Sequence, residues 1–378
     1  MGFSQTERER RHRAMLGLMK DDDLRALILV GDTNVGNGFY GDFRYYEDNR
    51  IIFYRQVACI FRDSAPVLFA GSPIQRQAAA RRGAVRDARL TEDMPADIAK
   101  LLKERGIGKG RIGVNLESLP VAWYEYLKRE LPGVEWIESH DRIMQVRFDK
   151  SEEEAEIVRK CARLADGGYA AALRMIKPGV TEFEIAEAIE GYARERGAEQ
   201  HFTLIGSGKF VPGDTESLPL PYSPSFRRIE PGDSVVMEIS PCYEGYWTQI
   251  ARTVNVARRN ADIEKLQAAC RAGIEKGIPM LKPGNTIKDV VMAMDEAVRA
   301  AGYVMKPPIG HLCGADMVEA RVSPRIEQVL KPWTAVIIHP TVYTPDLKNQ
   351  FFWGETYLIT TDGCERLNKS GDEMLTIS

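Results

Sequence analysis

The sequence predicts a small α/β domain followed by a larger α+β domain built from two copies of one substructure. Three observations predict this. Strand-like and helix-like segments alternate through the first half, a helix-start signal stands at Asp149-Lys150-Ser151, and an internal repeat follows it. With 378 residues, the chain is long enough for two cores.

In the first half, Gln5 to Met19 reads as a helix and Ala26 to Val30 as a buried strand. Gln56 to Phe61 and Pro66 to Phe69 are strands on either side of a polar turn. Pro95 to Glu104 is helical, with proline in the first turn, where a missing N–H costs nothing. Arg111 to Val114 is a strand and Val121 to Glu130 a helix that stops before Leu131-Pro132-Gly133. The domain boundary is placed at residues 148/149. Beyond it, Ser151 followed by Glu152, Glu153 and Glu154 has the form of an N-cap and an acidic first turn.

The repeat is explicit. Met175-Ile176-Lys177-Pro178-Gly179-Val180-Thr181 returns as Met280-Leu281-Lys282-Pro283-Gly284-Asn285-Thr286, each between two helices with Thr as the second helix's N-cap. Glu230-Pro231 leads into Ser234 to Ser240, as Lys331-Pro332 leads into Ala335 to His339. From proline to polar residue the two spacings match, so Glu238 and His339 should be equivalent across a pseudo-twofold axis. The helices that follow the two turns are expected to end at Gly197 and Gly302.

Polar residues inside such apolar strands mark a site, because an unpartnered buried polar group is costly. Glu238, His311 (between glycines) and His339 form the candidate catalytic set. A single buried histidine is more often a satisfied core residue; three polar groups together reverse that reading. Tyr222, Gln249, Arg252, Glu319 and Glu355 are the candidate substrate contacts. Among these, Gln249 equally suits local hydrogen bonding, and Arg252 and Glu319 suit structural ion pairs better than catalysis. Gln249 and Arg252 lie on Trp247 to Val256, expected to form a hairpin with the Glu238 strand through Glu244-Gly245.

Other chemistries lack a signature. There is no GxGxxG after a strand, no P-loop, no GxSxG and no HExxH. A Cys313–His311 nucleophile pair has little support. The six cysteines show no CxxC spacing and read as reduced core thiols. A net charge of −3 gives no case for nucleic acid. No apolar run approaches the roughly eighteen residues of a membrane span. Met1 to Arg13 is polar, and a cytoplasmic protein is expected.

Several motifs, in order, resemble the creatinase/prolidase/aminopeptidase P family. They are Gly232 to Glu238, Gly245 to Thr253, Gly310-His311 with Glu319, Leu330-Lys331-Pro332 leading to His339-Pro340, and Gly354 to Leu358 with Asp362-Gly363. The entrance at Lys150 to Glu153 and both Lys-Pro-Gly turns agree. The resemblance covers roughly Met144 to Leu367 and implies a pita-bread domain over 149–378, after a creatinase-type N-terminal domain over 1–148.

The resemblance also implies a metal site, which this chain departs from. Active members hold two metal ions with two Asp, one His and two Glu. Those positions correspond to Glu238, Gln249, His311, His339 and Gly354, with Glu355 beside the last. The family's catalytic histidine falls at Pro221 and its later histidine at Val318. A cation pair about 3.5–4 Å apart needs bridging anions, so a two-metal peptidase is not expected. Creatinase, by analogy, cleaves a C–N bond on this fold without metal, although it keeps the first histidine that is lost here.

The expectation is therefore a creatinase-like hydrolase of an amide, urea or lactam bond in a small-molecule substrate, with no cofactor. The alternatives are one divalent cation on Glu238, His311 and His339, an Xaa-Pro peptidase, or a binding protein without catalysis. Family members commonly dimerise, so a homodimer is expected, with Phe39-Tyr40 and Arg44-Tyr45-Tyr46 as candidate pocket-border residues.

Overall fold

In the computed structural model, residues 2–32, 41–51, 53–209 and 221–378 are described. The chain divides into two compact units, Met1–Asp149 and Lys150–Ser378.

The first unit runs α1 (Gln5–Asp21), β1 (Leu24–Gly31), α2 (Gly41–Glu47), β2 (Gln56–Phe61), β3 (Val67–Ala70), α3 (Pro73–Arg82), β4 (Asp87–Leu90), α4 (Met94–Glu104), β5 (Lys109–Val114), α5 (Val121–Glu130), β6 (Gly133–Glu138) and α6 (His140–Phe148). Its sheet has the order β4-β3-β2-β1-β5-β6, with β2 antiparallel to both neighbours. β1 is apolar except for Arg25, which is also its one position that is not fully buried. Ala26, Ile28 and Val30 share a core with Ile98 and Leu102 of α4 and Leu127 of α5. The weakly periodic α2, α3, β4 and β6 leave little trace in the sequence pattern. Arg44, Tyr45 and Tyr46 lie on α2 and are buried within this unit; Phe39-Tyr40 lie outside the described residues.

The second unit runs α7 (Glu152–Met175), α8 (Glu182–Arg194), β7 (Gln200–Lys209), β8 (Asp233–Tyr243), β9 (Tyr246–Trp247), β10 (Ile250–Val256), α9 (Ala261–Gly277), α10 (Ile287–Ala300), β11 (Val304–Lys306), β12 (Gly310–Cys313), β13 (Ala320–Arg321), β14 (Ala335–Ile338), β15 (Thr341–Tyr343), β16 (Gln350–Phe352), β17 (Glu355–Ile359), β18 (Cys364–Arg366) and β19 (Thr376–Ile377). Its sheets are β19-β10-β8-β7 with β9 on β8, β11-β15-β16, and β13-β12-β14-β17-β18.

The sequence repeat is a repeat of hydrogen bonds. Thr181 caps α8 and Thr286 caps α10, each in a capping box with the residue three further on. Gly179 and Gly284 both adopt positive φ, at 92° and 89°, which the Lys-Pro-Gly turn demands and glycine supplies. Gly179 N–H donates to Ile229 O, and Gly284 N–H to Leu330 O, at 2.8 and 3.1 Å. Bridges Thr181↔Arg228 and Thr286↔Val329 complete the correspondence. The two helices stop before Gly197 and Gly302, at Arg194 and Ala300.

Strand β8 has two distinct faces. Val235, Met237 and Ile239 pack with Ala165, Tyr169 and Ile185 of the first helix pair. The alternate residues Val236, Glu238, Ser240 and Cys242 point the other way. That second face carries the candidate site.

Candidate active site

The β8–β10 hairpin turns at Glu244-Gly245, both at positive φ, as a two-residue hairpin loop requires. Glu238 pairs with Ala251, Ile239 with Ile250, and Cys242 with Trp247. The pairing lapses at Thr248 and Gln249, where the Gln249 backbone bonds Thr356 Oγ1 instead, but it resumes in the same register, so by count Gln249 falls across from Ser240, on the side of Glu238. Apolar groups close the two ends of this polar stretch: Val236, Ala251 and Phe352 at one, and Cys242, Trp247 and Met317 at the other.

The second sheet supplies the histidines. His311 on β12 pairs with Ile337, and His339 immediately follows β14. Their rings lie edge to face, 5.2 Å apart, and His339 lies 5.4 Å from the Phe352 ring. His311 Nε2 is 3.3 Å from Gln249 Oε1, and its Nδ1 is 3.3 Å from the Leu312 carbonyl. The Ala251–Gly354 bridge ties the two sheets together, with N–H···O distances of 2.9 and 3.1 Å. Thus Gln249 links the Glu238 face to His311, and Phe352 links it to His339.

Burial controls the electrostatics. It raises the Glu238 carboxyl to about 7. It lowers His311 to about 4 and His339 to about 3, the latter also by the neighbouring His311. Both imidazoles are therefore neutral at neutral pH. Glu238 makes no hydrogen bond among the described residues, and the side-chain atoms Ser240 Oγ, Gln249 Nε2 and His339 Nδ1 are buried without a partner.

The other expected substrate contacts lie elsewhere. Arg252 pairs with Met237 and so faces the helix-covered side of the hairpin. There it binds the buried Glu355, which also binds the partly exposed Arg366, in an ion triad. Arg252 also stacks over Trp353, 4.8 Å from the ring centroid. Glu319 accepts from Lys150 Nζ at 2.9 Å, in a pair buried at both ends, and from the Ala315 N–H at 3.2 Å. Tyr222 is 78% exposed; its backbone bridges Ile205. For Arg252 and Glu319 the ion-pair role is the one realised in the fold.

Sequence reasoning passed over Ser240 and Phe352. Ser240 was detectable from strand alternation alone, two residues beyond Glu238. Phe352 was not, because its position depends on the bridge between sheets.

Glu238, Gln249, His311, His339 and Gly354, the positions at which the family resemblance would put cation ligands, carry one carboxyl, one carboxamide, two imidazoles and, at Gly354, no side chain. Among the described residues, no three His, Cys, Asp or Glu side chains converge as a cation site. No described helix is long and apolar enough to cross a membrane.

Comparison with known proteins identifies the lineage. Residues 156–361 match metallopeptidase family M24, and residues 11–148 match the creatinase/prolidase N-terminal domain. The Xaa-Pro dipeptidase of Pyrococcus horikoshii is 31% identical, over 68% of this chain and 73% of its own length. The creatinase of Bacillus sp. (strain B-0618) is 26% identical, over 91% of this chain and 85% of its own. The crystal structure of the prolidase from P. horikoshii OT3 superimposes with a TM-score of 0.83 at 25% identity, covering 97% of this chain and 99% of that one. With the pita-bread fold and over half its length matched, the chain belongs to metallopeptidase family M24, in the two-domain arrangement of creatinase and prolidase.

Proposed function

We propose that this protein hydrolyses a C–N bond in a small amide, ureide or lactam without a bridged pair of metal ions. One observation carries the reading: among the described residues of the site face Glu238 is the only carboxyl group, and the two histidines of the site are neutral. Two divalent cations held side by side need bridging anions to offset their repulsion. Gln249, His339 and Gly354 supply none, so the donor set does not fit a cation pair.

The same residues suit proton transfer. A neutral imidazole has one basic nitrogen, and a carboxyl near 7 exchanges its proton close to neutral pH. Water attacks the carbonyl carbon and gives up a proton to the Glu238 carboxylate. The C–N bond then breaks, and that proton passes to the leaving nitrogen. Similarity to creatinase across 91% of the chain supports a non-peptide substrate.

Similarity to the P. horikoshii Xaa-Pro dipeptidase favours a second reading, peptide hydrolysis. The test separates the two. Chelator-treated protein is assayed on small amides, ureides and lactams. It is also assayed on Xaa-Pro dipeptides, with and without added Mn, Co or Zn. Turnover of a non-peptide substrate without metal supports the first reading. Activity restricted to Xaa-Pro dipeptides and dependent on metal overturns it. If nothing is turned over while ligands still bind, the protein is a binding member of the family.

A further inference from the structure

We infer that Ser240 and Gln249 form a two-point station that grips an amide or ureide group of the substrate, one oxygen accepting its N–H and one hydroxyl donating to its C=O. This rests on the reading of the site as a small-molecule cleft and deepens it by assigning two specificity residues.

Three observations carry it. First, the same register on either side of the gap at Thr248 and Gln249 puts Gln249, by count, across from Ser240 on the Glu238 side, and the Thr356 hydroxyl holds the Gln249 backbone there. Second, Ser240 is fully buried, yet its Oγ has no partner, and neither has the end of the Gln249 carboxamide that is turned away from His311. A buried hydroxyl without a hydrogen bond is a standing cost that a guest can relieve. Third, the apolar clusters lie at the two ends of the strip and leave these polar atoms unmatched in its middle.

Hydrogen-bond logic fixes the direction. His311 faces the backbone carbonyls of Leu312 and Met317 and, at Nε2, Gln249 Oε1. A neutral ring donates only once. With Nδ1–H given to Leu312 O, the bare Nε2 is satisfied when Gln249 turns its NH2 toward it. The carboxamide oxygen then faces the cleft as an acceptor, beside the Ser240 O–H as a donor. That pattern complements a –C(=O)–NH– unit.

The probes are 2-pyrrolidinone and 2-imidazolidinone, with N-methyl-2-pyrrolidinone as the control that lacks the N–H. Binding is followed by chemical-shift titration of the full chain at millimolar ligand, alongside ligand-free melting temperature. We expect the two N–H probes to bind, and N-methylation to weaken binding about fivefold, the scale of one neutral hydrogen bond. Ser240→Ala should weaken it by a similar factor while leaving the ligand-free melting temperature unchanged or higher, because an unsatisfied hydroxyl is removed. A structural serine would behave oppositely, with lower melting temperature and unchanged affinity. That result, or no binding of either N–H probe to the unmodified protein, overturns the inference. A hydrolase whose KM is indifferent to Ser240→Ala sinks this assignment and spares the proposed function. Probe binding that depends on Ser240, without any turnover, does the reverse. Gln249→Ala, which removes the acceptor, serves as a second variant and should erase the preference for the N–H probe.

Discussion

Gly354 stands opposite His339, and a Cβ placed on Gly354 would meet the His339 Cβ at 2.5 Å. Directly opposed residues of a sheet ordinarily hold their Cβ atoms about 4.5–5.5 Å apart. The strands are pinched here, and the missing side chain at one position and the imidazole at the other belong together. Placing a carboxylate side chain at 354 alone would require the backbone to part.

The first prediction follows from that pinch. Gly354→Ala should destabilise the protein by about 1–3 kcal/mol, the usual cost of overpacking. In a His339→Gly background the same change should cost far less, giving a positive coupling in a double-mutant cycle. Urea denaturation of the four proteins measures it. Additive effects would mean that His339 is not what excludes the side chain.

Glu355 lies on the strand next to this pinch but serves a different purpose. Its carboxylate is wholly buried between Arg252 and Arg366. Glu355→Gln should cost about 3–5 kcal/mol, because it leaves a buried guanidinium underpaired. A substrate contact would behave otherwise, changing KM at constant stability. Denaturation midpoints and KM, read on the same variant, distinguish the two roles.

Much of this fold was readable from local signals. The Thr181 and Thr286 caps, the Lys-Pro-Gly turns and the Glu244-Gly245 hairpin each announce themselves through residues with one favoured geometry. Glu238, His311 and His339 stood out as polar residues in apolar strands. What stayed hidden depends on the third dimension. Gln249 and Arg252, three residues apart, fall on opposite faces by strand alternation, but nothing in the sequence tells that Arg252 meets Glu355 and Trp353 on its side while Gln249 meets His311 on the other. Nor does it tell that Phe352 reaches His339, since their approach depends on the Ala251–Gly354 bridge between the sheets.

The pH dependence of activity should report Glu238 rather than a histidine. Both imidazoles, at about 4 and about 3, stay neutral across the working range, whereas Glu238 titrates near 7. If its ionised form assists the attacking water, kcat/KM rises with unit slope as pH climbs toward about 7 and then levels. Glu238→Gln should abolish that limb and leave a low, flat profile. A limb that survives Glu238→Gln and disappears in a histidine variant would reassign the proton carrier.

Stability should carry a separate pH signature from the first unit. Glu47 is fully buried and raised to about 8 by burial, its Oε1 unpartnered and its Oε2 accepting from the Val85 N–H at 3.0 Å. Between the ordinary carboxyl value of 4.5 and about 8, the folded protein holds a proton that the unfolded chain releases. The folded state therefore binds more protons, and stability falls as pH rises through this window. The full contribution is present below 4.5 and is lost by about 8. Glu47→Gln keeps the acceptor for Val85 and removes the ionisation. It should flatten the decline and stabilise the protein at pH 8 by a few kcal/mol, on the order of the shift times 1.4. Chemical denaturation of both proteins from about pH 5 to about pH 9, the range over which this linkage acts, provides the measurement. An unchanged slope in Glu47→Gln would assign the dependence to another group.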